Sequence, residues 1–189
     1  MNTPGHLIVG AALFSRRDAG WIILATFLGA AAPDISVIAM VLWAEHVQGH
    51  SPSHIFNVLY FSDAWQRVFA IDNSIILWSV GLAAAAWFRA NAWVAFAGAG
   101  LAHLVLDLLL HHDDGRAHFW PVTMWRFESP VSYWDSAHYG NIAAAALFVL
   151  CVVAMVILWR RHTSYWLRGI FSALLAGEAY FASIWIRFF

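Results

Sequence analysis

Residues 92–112 read AWVAFAGAGLAHLVLDLLLHH, an apolar run interrupted only by His103 and Asp107 and closed by His111 and His112. At about 1.5 Å per residue such a run is roughly 30 Å long, the thickness of a bilayer's hydrocarbon core. Moving outward, comparable runs lie near 20–43, 71–88, 140–159 and 165–187. Thr3–Phe14 is apolar too, but a dozen residues suffice only for a half-span or interfacial helix, entered through Thr3 and Pro4 at first-turn positions. The connections 44–70 and 113–139 carry most of the remaining Pro, Asp, His and aromatic residues. The predicted fold class is therefore all-α, a polytopic transmembrane helix bundle of about five spans plus the short N-terminal helix. Residues 1–189 form a single integral membrane domain in this reading.

Composition agrees. The chain is 62% hydrophobic and 11% charged, with a mean hydropathy of +0.66. Its 10 basic side chains, all arginine, face 11 acidic ones, so no basic field exists to attract nucleic acid. Cys151 stands alone, which excludes an internal disulfide and a thiolate cage. A metal would have to be held by nitrogen and oxygen. No internal repeat or low-complexity linker is evident.

Arg16-Arg17 followed by an apolar run and Ala30-Ala31-Ala32 has the outline of an export signal. The apolar residues ahead of the arginines and the further spans argue against it. Basic residues in short loops stay cytoplasmic, and placing Arg16, Arg17, Arg89, Arg160 and Arg161 there puts both 44–70 and 113–139 outside. In a bacterium those loops face the periplasm.

Ionisable residues within spans are His6, Asp34, Asp72, His103, Asp107 and Glu178. Each is costly against lipid and asks for a partner. Counting helix rise from the arginine end puts His6, Asp34, His103, Asp107 and Glu178 at depths of roughly 15–22 Å, one layer near or just above the midplane. His103 and Asp107 share a helix face, and His111 continues the stripe. An imidazole and a carboxylate so placed suit Zn²⁺, Mn²⁺ or Fe²⁺, and equally suit a hydrogen bond that satisfies two buried groups. Asp34 follows Pro33, where a mid-span proline is expected to break the helix and start a half-helix at a cavity, or simply to be capped by Asp34. Glu178 is expected as a partner behind the site or a residue that closes it. His46, His50, His54, His138 and His162 fall at loops or span ends, where water or headgroups satisfy them. Arg116 and Arg126 read as headgroup anchors with a lipid phosphate as the other use.

Three short motifs in order, Thr3-x-x-His6-x-x-x-Gly10, Pro33-Asp34 and His103-Leu104-x-x-Asp107, with a downstream Asp-Gly and Trp-Pro, resemble bacterial inner-membrane proteins described as membrane-bound metal-dependent hydrolases. That group is distantly similar to zinc-dependent phospholipase C. The resemblance covers about residues 3–121 and implies metal ligands at His6, Asp34, His103 and Asp107. Many relatives continue Pro-Asp-x-Asp, whereas Ser36 stands here, so the second carboxylate of that pattern, which a two-metal site would use, is missing. Similar short proteins are sometimes labelled as cobalamin-biosynthesis proteins, for which these residues give no support.

The expected function is hydrolysis of an ester or phosphoester of a lipid-like substrate near the periplasmic leaflet, with a divalent metal, zinc ahead of manganese or iron. His111 or Asp114 is the candidate general base. The competing class is a non-enzymatic membrane protein: a metal or small-solute transporter, a partner-binding subunit, or a polar network that only specifies packing.

Overall fold

A computed structural model describes residues 1–17 and 19–188. The chain is all-helical, with no strand among the described residues. Its elements are α1 (Thr3–Phe14), α2 (Gly20–His46), α3 (Pro52–His54) running into a π-turn at Ile55–Leu59, α4 (Asp63–Asp72), α5 (Ile75–Trp87), α6 (Asn91–Leu110), α7 (Gly140–Arg161) and α8 (Tyr165–Phe188). Five helical stretches are long and apolar enough to cross a membrane: α2, α4 with α5, α6, α7 and α8 up to Arg187. This is a multi-pass membrane architecture with a short N-terminal helix, as the hydropathy predicts.

Two expectations change. The region 44–70 is largely helical rather than a loop, because Ser51 and Ser62 cap new helices by accepting from the backbone N–H groups of His54 and Trp65. Proline does not break α2, which runs through Pro33 from Gly20 to His46. The break falls instead at Asn73-Ser74, where α4 ends and Ser74 caps α5 through the Leu77 N–H. Carbonyls beside Pro33 accept hydrogen bonds from other segments: His103 Nδ1 lies 2.7 Å from the Ala30 oxygen, and Asn73 Nδ2 donates to the Pro33 oxygen at 3.3 Å. Hydrogen bonds from side chains of neighbouring segments help a membrane helix tolerate proline.

α1 is enclosed. It packs on α2, α6, α7 and α8, with Gly5, His6, Ile8, Val9, Gly10 and Ala11 all buried. Ile8, Ala11, Leu147, Cys151, Leu158 and Phe171 belong to the apolar core around it. α2 makes its most extensive contact with α6. Their backbones meet at Gly29, where a Cβ would collide with the Phe96 carbonyl, the close approach small residues permit in membranes. Arg161 donates to the carbonyls of Ala11 and Ser15, so the Arg16-Arg17 and Arg160-Arg161 pairs share one end of the bundle. Large apolar residues such as Trp21, Trp87 and Trp166 face outward near that end, 80%, 83% and 87% exposed, as interfacial aromatics do.

Candidate metal centre

α1, α2 and α6 converge at the other end. His6 hangs from the first turns of α1, Asp34 from the middle of α2, and His103 and Asp107 from the last two turns of α6. His111 caps α6, and the chain beyond it folds back over the opening. Four of the five residues of the layer deduced from helix rise, all but Glu178, are thus supplied by three different helices.

Asp107 is its hub. His6 Nε2 lies 2.9 Å from one carboxylate oxygen and His103 Nε2 lies 3.1 Å from the other. His111 Nε2 approaches at 3.4 Å, the Met1 amine at 3.2 Å and Arg116 Nη1 at 3.6 Å. His6, His103 and Asp107 are all buried, and each offers a ligand atom within 4.8 Å of the others. Asp34 reaches His103 Nε2 at 3.6 Å while its second oxygen accepts from the Thr3 hydroxyl at 2.6 Å. It therefore borders the three-residue cluster rather than joining its mutual contacts.

The donor chemistry fits a cation. A carbonyl oxygen only accepts, so His103 Nδ1 must carry the proton that it donates to Ala30. A neutral His103 then turns the lone pair of Nε2 toward the oxygens of Asp107 and Asp34. Lone pair against lone pair is repulsive unless something positive lies between them. One proton on His103 Nε2 beside a neutral His6, or one metal ion, would each relieve this; protonating both rings would not, because His6 and His103 are stacked with centroids 3.5 Å apart, and two imidazolium ions at that distance inside a bundle repel strongly. An ion binding several of these atoms removes the conflict. Tetrahedral metal bonds of about 2.0–2.1 Å place neighbouring ligand atoms about 3.3 Å apart, and the His6 and His103 nitrogens stand 2.9 and 3.1 Å from the Asp107 oxygens, near that spacing and equally at hydrogen-bond distance. A metal-binding imidazole typically gives its other N–H to a carbonyl or carboxylate, as His103 does. His6 Nδ1 remains a buried nitrogen without a hydrogen-bond partner.

His111 Nδ1 lies 2.9 Å from Asp114 Oδ2, which also accepts from the Trp134 indole at 3.1 Å. Burial alone pushes the Asp114 carboxyl up, but the contacts with His111 and Trp134 outweigh it and hold this acid below its ordinary value. Of the two candidate bases, His111 faces Asp107 and Asp114 stands behind it. A cavity of about 740 Å³ opens beside them, with Asp34, Asp107, His111 and Arg116 on its polar wall and Ile38, Phe56, Phe61 and Phe181 among its apolar residues.

Several placements differ from expectation. Glu178 is in the same end of the bundle, yet it accepts from the Gly5 N–H and Asn2 Nδ2 at 3.1 Å each, clamping the start of α1 rather than touching His103 or Asp107. Asp72 accepts from Asn73 at the α4–α5 elbow. His162 is fully buried against Ser15, not bathed in headgroups, because the α7–α8 turn tucks beneath α1. Arg116 is 7% exposed and folded into the centre, not anchored in headgroups. Sequence reasoning also missed the Met1 amine and Asn73. The run Asp72-Asn73-Ser74 inside an apolar stretch was the available signal for the elbow.

Comparison with protein-family models, curated proteins and solved structures finds no match to this chain. The chemistry of the centre therefore rests on its own geometry.

Proposed function

We propose that this protein is a metal-dependent hydrolase of a bacterial inner membrane, cleaving an ester or phosphoester of a lipid-like substrate at the periplasmic leaflet. The observation that carries this reading is the convergence of two stacked imidazoles on the Asp107 carboxylate, with the His103 Nδ1 proton committed to a backbone carbonyl. His6, Asp34, His103 and Asp107 would hold the ion, zinc ahead of manganese or iron. When bound, it would polarise the scissile group and lower the pKa of a water.

The chain's own residues supply the rest. His111, whose Nδ1 stands 2.9 Å from Asp114 Oδ2, is the group to take a proton at Nε2. Thr3 orients Asp34, and the Ala30 carbonyl orients His103. The cavity lining combines Asp34, Asp107, His111 and Arg116 with Ile38, Phe56 and Phe181, a mixture that suits an amphiphile.

Metal analysis of detergent-purified protein beside a His103→Ala, Asp107→Ala double variant tests the reading. Near-stoichiometric metal in the wild type, lost in the variant, is expected. Equal background metal in both sinks it. With metal present, chelator-sensitive release of product from lipid phosphoesters is expected, and bound metal without turnover favours carriage over hydrolysis. A reporter fused after Arg89 is expected on the cytoplasmic side, and a periplasmic signal there would invert the orientation.

A further inference from the structure

Arg116 is the one arginine drawn into the centre, and its surroundings use only part of it. Its Nη1 donates to Asn73 Oδ1 at 3.1 Å and faces Asp107 Oδ2 at 3.6 Å. The guanidinium carbon stands 5.5 Å over the Phe69 ring. Nε is buried and has no hydrogen-bond partner. A guanidinium carries five N–H donors in a planar fork, and the edge formed by Nε and Nη2 matches two oxygens of a phosphate or carboxylate. Leaving a charged donor buried and unbonded is costly, so an orphan Nε at a cavity wall asks for an acceptor.

The protein's nearby carboxylates do not supply it. Asp34 accepts from Thr3, Asp107 is crowded by His6, His103, His111 and Met1, and Asp114 uses Oδ2 toward Trp134 and His111 while its Oδ1, like Arg116 Nε, has no hydrogen-bond partner, so the two do not meet. An acceptor entering from the cavity that Arg116 lines would satisfy it. Asn73 fixes the other side of the guanidinium and is itself fixed, through Nδ2, by Asp72 and the Pro33 carbonyl. The fork is thus held on rigid supports beside His111 and Asp107.

We propose that Arg116 is the anion-recognition residue of this cavity and that its ligand is a phosphate group. This rests on the hydrolase reading for its setting and narrows the substrate to phosphate-bearing molecules, against neutral carboxylic esters. Asn73 acts through Arg116 as a positioning residue.

The test is binding of inorganic phosphate to the detergent-purified full chain, with and without prior metal loading, for wild type, Arg116→Lys and Arg116→Met. Arg116→Lys keeps the charge that Asp107 and Asn73 face and removes only the fork, so it guards against a variant that fails to fold. Phosphate binding to the wild type, weakened about tenfold to a hundredfold in Arg116→Lys and further in Arg116→Met, with metal content unchanged, is the expected result. Equal phosphate affinity in wild type and Arg116→Lys, or no phosphate binding by the wild type, overturns it. Metal content separates the two claims. Phosphate held through Arg116 by a protein that binds no metal keeps the anion site and removes the hydrolase. Metal-dependent hydrolysis with phosphate affinity indifferent to Arg116 does the reverse.

Discussion

His111 and His112 are neighbours in sequence and members of two different clusters. His111 turns inward, with His6 and His103, onto the buried Asp107. His112 turns outward and stacks on His138 with ring centroids 3.6 Å apart, its Nδ1 2.7 Å from the Ser129 carbonyl, while His138 contacts Asp135 at 2.6 Å. The chemistry of the two groups is alike: stacked imidazoles, a carbonyl on one Nδ1, a carboxylate alongside. Burial separates them. The outer pair is half-exposed, so water satisfies whatever its rings do not share. In the inner cluster His6 is 2% and His103 1% exposed, so each nitrogen must be answered by the protein or by a bound cation.

Removing the inner hub is expected to produce the largest effect. Asp107→Ala leaves Arg116, the Met1 amine and three imidazoles facing a gap. It should abolish metal binding and destabilise the fold by about 3–5 kcal/mol, read by elemental analysis and thermal melting in detergent. Native metal content and an unchanged melting temperature would make the inner cluster no different from the outer one. Glu178→Gln should cost about 1–3 kcal/mol, because the charged acceptor of the Gly5 N–H is lost one residue before His6. A melt indistinguishable from wild type would remove Glu178 as the clamp of α1. Thr3→Val takes away the hydrogen bond that orients Asp34 and should weaken metal binding about tenfold to a hundredfold while leaving the melt nearly unmoved. Unaltered affinity would place Asp34 outside the ligand set.

At the outer pair the expectation is near silence. His112→Ala with His138→Ala should shift stability by no more than about 0.5 kcal/mol and leave metal content intact. Acid should be felt locally. The Asp135 carboxyl lies below its ordinary value, first through the His138 hydrogen bond and then through the Ala137 N–H. A folded-state value below the unfolded one means the contribution is complete above the ordinary carboxylate range and is lost as pH falls through the folded value. A pH titration followed at the Asp135 carboxyl resonance should report that loss before the bundle melts. Resonances that stay fixed until global unfolding would remove the pairing.

Hydropathy revealed the spans because each must be apolar along a bilayer's thickness, and the arginines supplied a common origin for depth. From those two regularities His6, Asp34, His103 and Asp107 could be placed in one layer before any contact was known. Rotation about each helix axis is not encoded in depth. That is why Glu178, at matching depth, was grouped with the site although it faces the start of α1. Arg116 was illegible for another reason: it lies in a segment without periodicity, and only the fold-back after α6 carries it inward. Pro33 misled because local rules state what a proline removes, whereas His103 and Asn73, distant in sequence, donate hydrogen bonds to carbonyls beside it.

Those long-range partners impose an order of assembly. The Ala30 carbonyl waits for an imidazole 73 residues downstream. At about 5–20 residues per second of synthesis, that delay is roughly 4–15 s. Gly5 and Asn2 wait longer still, for a glutamate 173 and 176 residues further on. During insertion α1 and α2 must therefore enter the membrane with polar groups provisionally satisfied by water, lipid or the insertion machinery. The clamp on α1 forms only when the last helix arrives, so a chain stalled before α8 carries all the ligands of the centre and lacks the Glu178 bonds that hold the start of the helix bearing His6.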